Sequence, residues 1–218
     1  SRRFASNPDL RKRHNLQGPI DDAFMQPFVC VRGTGEAWSA GNAGWSSWVL
    51  ERFSREFDKY LRGRAPVVDD TAVDATLIAE KNLVLFGDPG SNAVLAKILD
   101  RLPVKWTAES IEVAGRRYDP GSHGLSLIYP NPLNPARYVV INSGHTFHAR
   151  DFEASNAWLF PRLGDVAVQK FSKRGDADED AGYDEQIEWA AVFDASWQLP
   201  AGERQPQAPS RTDRREER

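Results

Sequence analysis

A three-layer α/β fold, with helices on both faces of a mainly parallel sheet of flavodoxin or Rossmann type, is predicted by three observations. Phe28 to Val31, Leu83 to Phe86 and Tyr138 to Ile141 are apolar runs without polar alternation, as in strands buried on both faces. Each run stops at a glycine loop. Helical spacing of apolar residues resumes after each loop, as strand, loop and helix succeed one another in βαβ units.

The chain has 218 residues, 40% of them hydrophobic, enough for one core and too few for two full domains. A net charge of -3 and a pI near 5.9 supply no chain-wide attraction for nucleic acid or an anionic membrane. Cys30 lies inside an apolar run and, as the one cysteine, reads as a core thiol. No apolar run approaches the ~18 residues that would suggest a membrane span, and the opening SRRFASNPDLRKRH has no signal-peptide centre. The missing initial Met suggests a processed or excised piece of a longer polypeptide. The compartment is left open, a secreted or periplasmic parent included.

Taken in order, residues 1–17 are polar and basic and read as a linker or docking arm, removable at little cost to folding. A single α/β domain is expected over 18–200. Its first strand, Phe28 to Arg32, ends in Gly33-Thr34-Gly35. Trp45, Trp48, Val49, Phe53, Phe57, Tyr60 and Leu61, spaced by three or four, form the apolar face of a long helix, with Glu51, Arg52, Arg55, Glu56 and Lys59 between them. Arg62 to Asp70 reads as a loop and Thr71 to Glu80 as a short helix. The central strand follows, then Gly87-Asp88-Pro89-Gly90 and a helix over Ser91 to Leu102. Lys105 to Thr107, Ile111 to Val113 and Gly115 to Tyr118 read as a small β-hairpin insertion. Leu125 to Tyr129 and Tyr138 to Asn142 are strands joined by a rigid loop, Pro130 to Pro135, which places one antiparallel member in the sheet. Ala149 to Leu159 has helical spacing, and Val166 to Phe171 reads as the last strand. Lys173 to Asp184 is polar and acidic, Ile187 to Trp197 a terminal segment docked on the core, and 201–218 a disordered tail.

In a parallel sheet the three glycine loops share the carboxyl edge, where α/β proteins place their sites. Gly33, Thr34, Gly87, Asp88, Ser91, Asn92, Asn142 and His145 are therefore the candidate ligand-binding residues, able to cradle a small anion or glycan. No phosphate-loop motif is present and Trp38 replaces the third glycine of a dinucleotide fingerprint, so no cofactor is expected. For nucleophilic catalysis the candidates are Ser143 or Ser91, with His145 or His148 as base and Asp88 or Asp151 to orient it. No Gly-x-Ser-x-Gly elbow accompanies them, and Ser91 equally suits a helix cap. His145, His148 and Asp151 could supply metal ligands, though two histidines three apart do so only when a helix aligns them. The run Asp176, Asp178, Asp180 opens like a calcium loop but has Ala181 and Ile187 where glycine and glutamate are needed.

Five strings, LQGPIDDAF (Leu16 to Phe24), FVCVRGTG (Phe28 to Gly35), NLVLFGDPGSN (Asn82 to Asn92), IYPNPLNPARYVVINSGHTFH (Ile128 to His148) and NAWLFPRLGDVAV (Asn156 to Val168), resemble the C-terminal region of large bacterial prolyl oligopeptidase-like proteins of α/β-hydrolase type. The resemblance implies that the serine-hydrolase elbow belongs to a preceding domain, and that this chain is a non-catalytic accessory module which packs on that domain or positions it. It carries over no catalytic residue. The alternatives are a stand-alone Ser/His hydrolase and a binding module for a small anion or glycan.

Overall fold

The computed structural model describes residues 10–148, 162–175 and 182–199. In chain order the elements are β1 (Phe28–Arg32), α1 (Ala40–Leu61), β2 (Val67–Asp69), α2 (Ala75–Glu80), β3 (Asn82–Phe86), α3 (Ala93–Ile98), β4 (Lys105–Trp106), β5 (Ile111–Val113), β6 (Arg116–Tyr118), β7 (His123–Asn131), β8 (Asn134–Ile141), β9 (Val166–Lys173) and β10 (Tyr183–Ala191). A seven-stranded sheet has the order β10-β9-β7-β8-β3-β1-β2, and β4, β5 and β6 form a small antiparallel sheet of their own.

The sheet is mixed, which corrects the expectation of a mainly parallel flavodoxin-like sandwich. Pairings β1 with β2, β1 with β3 and β3 with β8 are parallel. Those of β8 with β7, β7 with β9 and β9 with β10 are antiparallel. Parallel pairing requires a crossover, and α1 and α2 supply crossovers in the first half, whereas β7 returns directly to β8 through a tight hairpin. The unbroken apolar run in β7 misleads because two-sided burial produces it, whatever the strand direction. Leu125, Leu127 and Ile128 are fully buried although β7 pairs antiparallel on both sides.

Two more differences arise from local chemistry. Pro130 and Asn131 continue β7 and Asn134 and Pro135 begin β8, so the expected rigid loop contracts to a hairpin turn at Pro132 and Leu133. A register shift between Pro130 and Asn131 sits where proline lacks a ladder donor. The other difference is that β2 falls within the segment read as a loop, and β10 overlaps the stretch read as polar and acidic.

Register assigns the faces. Phe28, Val84, Val140, Ile128 and Gly124 lie on one face, and α1 covers it. Its N-cap is Ser39, whose hydroxyl accepts from the Asn42 amide, and it ends at Arg62 in a left-handed conformation (φ 57°). Phe24, Phe28, Phe53 and Phe57 pack edge-on or tilted, with ring centroids 5.0–6.0 Å apart. Trp45 stacks on Phe171 of β9 at 5.3 Å. On the other face Val29, Val31, Leu83, Leu85, Val139 and Ile141 are all buried, and α2 contacts β3 and β8.

β7 is paired by β9 only along its first half and by β8 only along its second. Beside the open half of β7, Phe193 and Trp197 pack against Tyr129. Residues 10–17 lie there too: the Lys12 amide donates to the Ala195 carbonyl (2.8 Å), and its ammonium sits 2.6 Å from Asp165 and over the Trp197 ring.

Candidate functional site

Because β1, β3 and β8 run parallel, Gly33, Gly87 and Gly144 emerge on one edge of the sheet. Gly87 and Asn142 bind each other twice: the Gly87 amide donates to Asn142 Oδ1 (2.8 Å) and Asn142 Nδ2 donates to the Gly87 carbonyl (2.9 Å). Both have positive φ, 119° and 44°, which explains a glycine and an asparagine where the chain leaves β3 and β8. Asn92 joins the next pair of elements. Its Nδ2 donates to the carbonyls of Val31 and Phe86, and its Oδ1 caps α3 at the amides of Val94 and Leu95. Gly33 passes so close to the Ser91 carbonyl that a Cβ would lie 2.7 Å from it.

Asp88 is the hub of this edge and is 1% exposed. Its Oδ2 accepts from the amides of Trp38 (2.7 Å) and Ser39 (3.2 Å) at the start of α1. Its Oδ1 accepts from the amides of Gly90 and Ser91 and from the Ser91 hydroxyl. The carboxylate thus fills the place at a helix N-terminus where an external anion would bind. Thr34 donates its hydroxyl to Asp70 (2.7 Å), which also accepts from the amides of Thr71 and Ala93. Burial works to raise the Asp70 pKa, but these hydrogen bonds outweigh it and hold the carboxyl below its usual range. A cleft of about 240 Å³ remains between the loops and α1, lined among others by Gly33, Gly35, Ser46, Glu51, Gly87 and Ser91.

The edge brings Asp88, Ser91, Asn92 and Asn142 together. Ser143 and His145 share it but bond elsewhere. The Ser143 hydroxyl donates to the Gly144 carbonyl (2.9 Å). His145 Nδ1 bonds the Phe147 carbonyl (2.8 Å), which requires the proton on Nδ1. The imidazole stacks on Phe147 and meets the Phe53 ring edge-on. Burial pushes the His145 pKa down, and the Phe147 carbonyl only partly offsets it. The next residue, Thr146, is anchored by Asp21, which accepts from its amide (2.7 Å) and its hydroxyl (2.6 Å). Burial raises the Asp21 pKa against these bonds.

Among the described residues no three His, Cys, Asp or Glu side chains converge as metal ligands, and Asp151 lies outside those residues, as does the run Asp176 to Asp180. His148 Nδ1 lies 3.5 Å from Glu56 of α1. Glu56, 6% exposed, is a buried titratable group among the charged residues that lie between the apolar positions of α1 in sequence. Its position three residues after Phe53, on the apolar face, is the signal that could have marked it. Nor did composition point to the larger, open cavity of about 560 Å³ lined by Lys12, Gly18, Pro19, Asp165 and Val192 among others. No helix of the described residues is long and apolar enough to cross a membrane. In comparisons with protein-family models, curated proteins and solved structures, nothing matches this chain.

Proposed function

We propose that this chain is an accessory module that packs on, and positions, a preceding α/β-hydrolase domain. The hydrolase partner is supplied by the sequence resemblance. The observation that carries the non-catalytic part is the bonding of Asp88 and Ser91: the carboxylate and hydroxyl best placed on the edge hold the Asp88-to-Ser91 loop against the start of α1. Acyl transfer needs a hydroxyl bonded to its base and amides aimed at the developing oxyanion. Here the Ser143 hydroxyl serves the Gly144 carbonyl and not a histidine, and the Gly87 amide serves Asn142. The same Asp88 contact supports the accessory reading over an anion-binding module, since an anion would have to displace a buried carboxylate.

The test is to express the chain alone and together with the α/β-hydrolase domain that this reading places upstream in its reading frame. Activated esters and proline-containing peptides should not turn over above buffer with the chain alone, and the two parts should co-purify as a stoichiometric complex. Turnover lost in Ser143→Ala or His145→Ala would favour a stand-alone Ser/His hydrolase instead.

A further inference from the structure

The segment from Leu10 to Gln17 has a division of labour that its composition conceals. Lys12 and Leu16 point inward: the ammonium meets Asp165, and Leu16 is 4% exposed. Between them the chain makes a tight turn, in which Arg13 and Leu16 exchange backbone hydrogen bonds (3.2 and 2.8 Å) and Asn15 takes a left-handed conformation (φ 64°). Gln26 donates to the Asn15 carbonyl and braces the turn from the body of the protein. Arg11, Arg13 and His14 point outward and are exposed, and among the described residues their side chains take no hydrogen bond, ion pair or ring contact. Lys12, between the two arginines, lines the open cavity of about 560 Å³, whose wall includes Pro19 and the exposed Val192.

We propose that this turn is a preorganised docking element for an acidic protein segment, with Arg11 and Arg13 engaging its carboxylates and an apolar side chain of the segment covering Val192. Arginine pairs carboxylates in a bidentate fork, and a turn already held in place loses little conformational entropy on binding. A protein segment is favoured over nucleic acid because the cavity offers an apolar wall and the chain as a whole is net negative. The inference rests on the accessory reading only for where such a segment would come from, the surface of the partner domain.

The experiment uses the whole chain and a fluorescein-labelled short peptide of alternating Glu and Asp around one Leu, followed by anisotropy. Saturable binding is expected, weakening severalfold from low to physiological salt. The double variant Arg11→Glu/Arg13→Glu should lose on the order of tenfold in affinity or more. Its melting temperature should stay unchanged, because among the described residues neither side chain has a partner to lose. Equal binding by the variant, equal binding of a peptide with Gln and Asn for Glu and Asp, no binding at low salt, or tighter binding of a short DNA duplex would each overturn the proposal. None of these results bears on the complex with the hydrolase domain, so the two readings fail separately.

Discussion

The Asp88 carboxylate lies 2.7 Å from the backbone amide of Trp38, fifty residues away in sequence, and through it the loop after β3 holds the start of α1. A helix that begins over a sheet edge has unpaired amides. Here another segment's carboxylate takes the two amides just before the first helical residue, Trp38 and Ser39, while Ser39 itself caps the Asn42 amide, and the negative charge suits the positive end of a 22-residue helix.

Replacing Asp88 should therefore destabilise the whole domain. Asp88→Ala leaves the amides of Trp38, Ser39 and Gly90 without their acceptor, and a loss of ~3 kcal/mol or more is expected in urea denaturation. Asp88→Asn keeps the shape but turns a donor toward donors, and should recover little. An unchanged midpoint in either variant would show that Asn92 and Asn142 hold the edge without it.

His145 sets a pH dependence. Its pKa is depressed by burial, so the folded protein binds this proton less readily than the unfolded chain does. Its contribution is fully present above the unfolded value near 6.5 and is lost as pH falls from there toward the depressed folded value. Melting temperatures of the wild type should fall over that range more steeply than those of His145→Gln. A parallel decline in both would assign the acid sensitivity to other groups.

The parts legible in the sequence are those whose chemistry is local. Asn92 follows an apolar run and precedes an apolar helix, and its capping role can be read from that position; Gly87 and Asn142 stand at strand ends where the chain must turn. Strand direction is not local. The runs at Leu83 and Leu125 look alike because both are covered on two faces, and only the connections distinguish parallel β3 from antiparallel β7. β10 was hidden for a related reason. The residues of its first half that face α1 are Tyr183 and Glu185, and a glutamate reads as solvated until its partners on α1 are known.

Those partners make the next prediction. Glu185 accepts from Trp45 Nε1 (2.8 Å) and from Arg52 (2.5 Å), which also lies over the Trp48 ring. Both charged side chains are largely withdrawn from water. Glu185→Ala should cost ~3 kcal/mol, since it leaves a largely buried guanidinium and an indole N–H unpaired. The double variant with Arg52→Met should cost less than the sum of the singles, a coupling that a double-mutant cycle reads directly. Additive costs would mean that β10 is held to α1 by its aromatic contacts alone.

Two glycines separate steric from conformational strain. At Gly124 an added Cβ would lie 2.2 Å from the Trp45 ring, so Gly124→Ala must push α1 off β7 and should cost ~1–3 kcal/mol or more. At Gly115 nothing lies within 4 Å, but φ is 74°. Gly115→Ala should cost only about 1 kcal/mol, through the backbone. Thermal denaturation of the pair should rank them in that order; the reverse order would place the constraint in the turn and not under the tryptophan.

Lys12 tests whether the N-terminal segment belongs to the folded body. Asp165 is fully buried; its Oδ2 accepts from the Lys12 ammonium (2.6 Å) and the Phe193 amide (2.8 Å), while Oδ1 has no hydrogen-bond partner among the described residues and lies against Gly18. Burial raises the Asp165 pKa, Lys12 lowers it, and the Asp22 carboxylate adds to the rise. A raised carboxyl pKa contributes stability that is present below the unfolded value near 3.8 and is lost as pH rises through the folded value. Lys12 limits that loss. Removing it by Lys12→Met pushes the Asp165 pKa higher still and leaves a buried charge without a cation at neutral pH, for a cost of ~3 kcal/mol. Below the unfolded value near 3.8 the carboxyl, whose folded pKa is higher, is protonated and most of this deficit should vanish. Deleting residues 1–17 should reproduce the neutral-pH loss and add the burial of Leu16, ~1.5–3 kcal/mol. Denaturation of the wild type, Lys12→Met and the truncated chain at both pH values decides the matter. A Lys12→Met deficit equal at both would assign the loss to packing over Trp197, and a truncated chain as stable as the wild type would make the segment a tether.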